Sequence, residues 1–377
     1  MHEPEQAVSA GGQLEQLRDL ARARGVHTLV LRSPATLSWL TGARWHTQQS
    51  LHSPCFDVVL DGLDGSPGSP VGVRVVTSVI EAPRLRDIEL AGAFRDDYEI
   101  DTVDWDQDRT DRLPAGPGVG SDEAARDHPG GRVDLADAVA GLRRVLTPWH
   151  RAELTTLAAE STRLVGQVAR TVRTGNQERA IAGRLAGALV TAGIDPVVLF
   201  VGSDHRLTTH RHPLATGRPV ERVAMLACVV RRRGVVASVT RVVAPGRLTS
   251  QEHDRYLALL HVEAAFLSAT RVGTTLGEAF VAGTASYAEH GFDPLEWRRH
   301  HQGGLSGFAP REALATAASR IELADGMVCA WNPTGDGWKV EDTTLVGPQG
   351  PTTLDLDPGW PTLTVAGRRR PDVLRLT

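Results

Sequence analysis

Lysine is nearly missing from this chain: of 41 Lys and Arg residues, Lys339 alone is a lysine. A GC-rich coding bias accounts for the arginine excess. Lys339 still brings a compact ammonium charge that arginine does not copy, two residues before Glu341 on an expected strand. Cysteine is scarce as well. Cys55, Cys228 and Cys329 lie far apart, which argues against a disulfide framework and fits reduced thiols in a cytoplasmic protein. No apolar run reaches the length of a membrane span, and no apolar segment follows the acidic start, so neither a membrane role nor a secretory leader is expected. A net charge of −4 gives no broad attraction to nucleic acid or acidic membranes, and the chain lacks long charged tails. With 377 residues it is too long for one ordinary core and suits two domains.

Residues 13–24 carry Leu14, Leu17, Leu20 and Ala21 at helical spacing, with Gly25 as a cap. Residues 26–31 read as a buried strand, and residues 57–60 and 71–76 as further strands. Residues 101–131, rich in Asp, Gly, Pro and Arg, read as a surface loop. A helix over 135–145 leads to Thr147-Pro148, where the boundary between domains 1–146 and 147–377 is placed. Beyond it, the pattern predicts helices over 150–172 and 176–193 and a strand over 197–201. A histidine-rich segment around His205, His210 and His212 comes next, then strands 224–231 and 235–243 and helices 250–270 and 276–290.

The most informative stretch is His300-His301-Gln302-Gly303-Gly304-Leu305-Ser306-Gly307-Phe308, followed by Arg311-Glu312 and later by Glu341-Asp342-Thr343. In order and spacing it resembles the closing half of the active site in the pita-bread superfamily, which includes creatinases, prolidases and Xaa-Pro aminopeptidases. The resemblance covers the chain strongly from Pro148 to Gly347. It implies a small N-terminal creatinase-type α/β domain followed by a C-terminal pita-bread domain. It also implies a homodimer, in which Trp39, Arg44, Trp45 or His46 of one subunit would edge the site of the other.

The metallopeptidases of this fold hold two divalent metals with two Asp, one His and two Glu. By resemblance those positions are Ala227, Ser238, Gly304, Asn332 and Glu341, so only the last carboxylate remains. A binuclear site needs several anionic oxygens to offset two cations. The expectation is therefore no peptidase-type metal and no cofactor. A replacement zinc site is conceivable if His210 and His212 share one face of an extended strand, with His205 nearby.

Creatinase, the metal-free relative, uses a His near a Pro as its acid/base group, and His212-Pro213 occupies the corresponding place. His212 and Glu341 are thus the candidate catalytic residues. His300, His301, Glu312, Asn332, Lys339, Ser238, Arg241 and His210 are the candidate substrate-binding residues. Strand periodicity puts Lys339 beside Glu341, while Cys228 and Cys329 fall out of phase and are expected to be inert, buried thiols. The implied activity is metal-independent cleavage of a C–N bond, by hydrolysis or elimination, in a small polar amino-acid derivative. Two alternatives stand beside it: a pseudo-peptidase that binds a peptide or small ligand without turnover, and an Xaa-Pro peptidase with rearranged metal ligands.

Overall fold

The computed structural model describes residues 10–47, 53–66, 68–123, 131–354 and 357–376. The acidic start and residues 124–130 of the expected surface loop lie outside them. The chain forms two units: the first runs to Arg144 and includes Arg233–Val235, and the second holds Val145–Arg232 and Val236 onward. No helix among the described residues is long and apolar enough to cross a membrane.

In the first unit, α1 (Gly11–Arg24) stops at Gly25, whose φ of 66° is costless only for glycine. β1 (Thr28–Leu31) is buried throughout, and Ser33 caps α2 (Pro34–Thr41) by accepting a hydrogen bond from Thr36 N. β2 (Phe56–Asp61), β3 (Gly72–Ser78), the helical turn α3 (Ala82–Arg84), β4 (Glu99–Val103), β5 (Val119–Ser121), β6 (Val133–Asp134) and α4 (Ala136–Arg143) complete the unit. Its six-stranded sheet has the order β4-β3-β2-β1-β5-β6. The segment expected to be loop thus contributes β5, which pairs parallel to β1. Its strand signal is hidden because three residues with Gly120 at their centre, preceded by Gly116 and Gly118, show neither alternation nor β-branched enrichment. Trp39 is wholly buried in this unit's core and Arg44 is tied to Glu89 at 2.8 Å, so Trp39 presents no surface to a partner.

The second unit opens with α5 (Pro148–Ala169), capped by Thr147 with Pro in the first turn. α6 (Glu178–Thr191), β7 (Asp195–Ser203), the short α7 (His205–Thr209), β8 (Ala224–Arg232) and β9 (Val235–Ala244) follow. α8 (Ser250–Ala269) and α9 (Leu276–Glu289) each begin with a capping box, Thr249/Glu252 and Thr275/Glu278, in which side chain and backbone satisfy one another. Strands β10 (Gly303–Ser306), β11 (Ala313–Leu314), β12 (Val328–Trp331), β13 (Thr334–Gly335), β14 (Trp338–Lys339) and β15 (Glu341–Leu345) come after the helices.

The main sheet runs β11-β10-β12-β15-β9-β8-β7. One of its faces packs on α8 and α9 through Tyr256, Leu259, Phe266, Tyr287, Trp331 and neighbours. On that side Asp342 meets Arg241 at 2.6 Å, and Arg370 bridges Asp342 to Glu263 of α8, with every side chain about fully buried. Period two then turns Glu341 toward the opposite face, where it lines a cavity.

Candidate active site

A cavity of about 180 Å³ opens on that opposite face, between β7, β8, the His212 segment and the ends of β12 and β15. His212, His301, Arg311, Asn332, Lys339 and Glu341 all line it. Sequence positions far apart meet here because antiparallel pairing sets Glu341 opposite Thr240 and Trp331 opposite Asp342. The two histidine segments are drawn together by an ion pair between Arg211 and Glu296, 2.5 Å apart. Gln302 fixes the second segment: its amide donates to the carbonyls of His300 and Trp297, and its oxygen accepts from the Tyr287 hydroxyl at 2.7 Å.

The three imidazoles form a cluster. His212 Nε2 lies 3.1 Å from His300 Nε2, His300 stacks on His301 at 4.4 Å, and Phe200 stacks on His212 at 5.0 Å. The Nδ1 atom of His300 is buried and has no hydrogen-bond partner among the described residues. An orphaned buried N–H is rarer than an orphaned acceptor, which places the His300 proton on Nε2, donated to His212. Burial, with Lys339 next, lowers the His300 pKa to about 2. His212 and His301 reach solvent at one edge, yet desolvation and the Lys339 and Arg311 cations lower both, His301 to about 4. All three rings are therefore neutral at neutral pH and present nitrogen lone pairs rather than positive charge.

Glu341 sits between two cations: Arg311 Nη2 is 2.7 Å away and Lys339 Nζ 3.0 Å. Burial alone would raise its pKa, but Lys339 and Arg311 hold it down to about 2. It stays ionised across the working range, so it acts as fixed charge and not as a proton carrier.

The residues do not fit a binuclear peptidase centre. The cavity holds a methyl group at Ala227, a neutral amide at Asn332, and a Glu341 whose oxygens are already engaged by two cations. At Gly304, where the family has its ligand His, φ is 148° and an added Cβ would lie 2.2 Å from Ala313 O. The space for that side chain is closed.

Of the predicted site residues, His212, His300, His301, Asn332, Lys339 and Glu341 come together. The other four do not line the cavity. Arg241 faces the helix layer, in its ion pair with Asp342. Ser238 is buried in β9 on the same sheet face as Thr240 and Glu341, and its backbone N–H donates to Thr343 Oγ1. Glu312 accepts from Phe308 N. His210 is exposed beside Thr209; its own backbone is extended, but the chain bends at Arg211 and His212, so no strand sets His210 and His212 on one face. Cys329 is buried, its thiol raised to about 12, and Cys228 is buried at the cavity's edge. Phe200, missed from the sequence, carried one signal: it alternates with Val198 along the strand preceding the histidine segment.

A larger cavity of about 590 Å³ lies around Asp204, Arg222, Arg255 and Trp338. Two of its ion pairs are Arg222 with Glu252 and Arg255 with Asp336, both at 2.7 Å. No imidazoles converge there among the described residues, and the chemistry is assigned to the smaller cavity.

Known proteins supply an independent comparison. Solved structures similar to this chain include the prolidase from Pyrococcus horikoshii OT3, with TM-score 0.73, 13% identity and coverage of 92% of this chain and 98% of that one. Dipeptidase PepE from Mycobacterium ulcerans aligns with TM-score 0.72, 18% identity and 97% coverage of both chains. The N-terminal domain of FACT complex subunit SPT16 from chickpea aligns with TM-score 0.63 and 12% identity, over 91% of this chain and 96% of that one. At such identities the likeness concerns the fold, which is the two-domain pita-bread architecture expected from the sequence. No curated protein matches this chain in sequence. The model of metallopeptidase family M24 matches residues 153–348, more than half of the chain. This chain belongs to metallopeptidase family M24.

Proposed function

We propose that this chain cleaves a carbon–nitrogen bond in a small polar amino-acid derivative, as creatinase-like enzymes do, without the two-metal centre of the peptidases. The observation that carries the reading is the Nε2 contact of 3.1 Å between His212 and His300 in a cavity whose carboxylate is permanently ionised. A ligand entering the cavity displaces that contact and meets a neutral imidazole at His212, ready to take a proton from water or from the substrate and return it to the leaving nitrogen. Glu341, held by Arg311 and Lys339, supplies a fixed negative charge for a substrate N–H or ammonium group, and Asn332 supplies a neutral hydrogen-bonding amide. A volume of about 180 Å³ suits a small molecule better than a folded partner. A cytoplasmic homodimer belongs to the same reading.

The test is release of amine or ammonia from a panel of small amides, amidines and dipeptides, with and without a strong chelator. Turnover is expected to persist in chelator and to fall at least about a hundredfold in His212→Asn. Turnover abolished by chelator and restored by a divalent metal would overturn the proposal and favour an Xaa-Pro peptidase with rearranged ligands. A second reading, a pseudo-peptidase that only binds, is favoured by the engagement of Glu341 with two cations. It predicts a bound small molecule or peptide that is recovered unchanged, with His212→Asn altering affinity alone.

A further inference from the structure

We propose that His212, His300 and His301 form a tri-imidazole capture site for one transition-metal ion of the zinc type, distinct in position and chemistry from the peptidase centre. One nitrogen from each ring lies within 4.8 Å of the other two, and the His212 and His300 Nε2 atoms are 3.1 Å apart. Imidazole nitrogens bind zinc at about 2.0–2.1 Å, which sets neighbouring nitrogens of a tetrahedral site about 3.3 Å apart. One edge of such a tetrahedron is therefore already formed, and a small rotation of the solvent-facing His301 ring completes the face.

The donor set is soft enough to select zinc, copper, nickel or cobalt and gives magnesium or calcium no oxygen ligands. On capture the proton that His300 shares with His212 moves to the buried Nδ1 of His300, so the ion takes lone pairs from neutral rings and its binding offsets the cost of an N–H with no partner among the described residues. Lys339 and Arg311 place two positive charges nearby and Glu341 offsets one of them. An ion arriving with a hydroxide or a carboxylate as its fourth ligand is favoured for that reason. The position is also new. The family's metal would contact Glu341 and the residues at Ala227, Ser238, Gly304 and Asn332, none of which is an imidazole in this chain.

Metal capture goes beyond the proposed function and is tested without substrate. Only its consequence rests on that reading: an ion on His212 occupies the lone pair the reaction needs, so zinc inhibits and chelator relieves the inhibition.

The experiment is equilibrium dialysis of the full chain against Co²⁺ and Zn²⁺, with visible spectroscopy of the Co²⁺ form. We expect one ion per chain and the absorption of a low-coordinate cobalt site. Affinity is expected to fall at least about tenfold in each of His212→Ala, His300→Ala and His301→Ala, and to change less than about twofold in His210→Ala. His301 is exposed, so its variant keeps the test decisive if His300→Ala does not fold. Absence of stoichiometric binding, binding that survives loss of His301, or equal loss in His210→Ala would each overturn the proposal. The catalytic reading fails separately, by absence of turnover in metal-free protein.

Discussion

At the scale of single residues, Glu341 and Gly304 mark how far this cavity departs from a cation cage. Glu341→Gln removes the charge that two cations share, and so strands the buried Lys339 and the largely buried Arg311. Removing one partner of a buried pair costs about 3–5 kcal/mol, so the denaturant midpoint of Glu341→Gln should drop sharply. An unchanged midpoint would show that the pairing contributes little. Gly304→His restores the family's ligand in name only. With Ala313 O 2.2 Å from the new Cβ and φ at 148°, the variant should lose about 2–3 kcal/mol or fail to fold. Metal content of the folded fraction should stay at the wild-type level; a gain of one bound ion would refute the steric argument.

At the scale of elements, caps and buried rings set how the second unit responds to mutation and acid. Thr275→Ala breaks the capping box at the start of α9 and should cost about 1 kcal/mol, readable in the midpoint of thermal or urea unfolding. In α5, His150 is wholly buried and burial lowers its pKa from 6.5 to about 4. Between those values the unfolded chain takes up a proton that the folded chain refuses, so stability falls as pH falls. His300 extends the same trend to about 2. Each ring contributes a slope of up to about 1.4 kcal/mol per pH unit, beginning below about 6.5. Midpoints measured from pH 7 to pH 5 should decline, and His150→Gln should flatten the decline; parallel curves would exclude His150 as a source. Elements with strong signals were legible in the sequence: both capped helices, the β8 and β9 strand pair, and the helix that Gly25 ends. The site was legible in the closeness of Lys339 and Glu341, which meet at 3.0 Å, although they end β14 and begin β15, strands of two different sheets, and do not share the one strand expected. It was not legible at His210 and Arg311. A bend at Arg211 and His212 separates the first from the cluster, and the second reaches Glu341 through tertiary pairing that no local period encodes.

At the scale of the whole molecule, the second unit binds its sheet to its helix layer through Arg241, Asp342, Arg370 and Glu263. Burial alone would lower the Arg370 pKa, but Glu263 and Asp342 raise it, so the guanidinium stays charged throughout. Asp342→Asn should cost about 3–5 kcal/mol, whereas converting an exposed pair such as Arg299 and Asp293 should change stability by less than about 1 kcal/mol. A comparison of urea midpoints separates the two cases, and equal effects would show that the network is not a stabilising link. Lys339 has a wider use. Since the chain carries one lysine, and that lysine lines the cavity, an acylating reagent aimed at side-chain amines has a single address in the entire polypeptide. The yield of that one adduct, followed by mass spectrometry while candidate compounds are added, reports occupancy of the cleft directly and allows ligands to be ranked before any reaction is known.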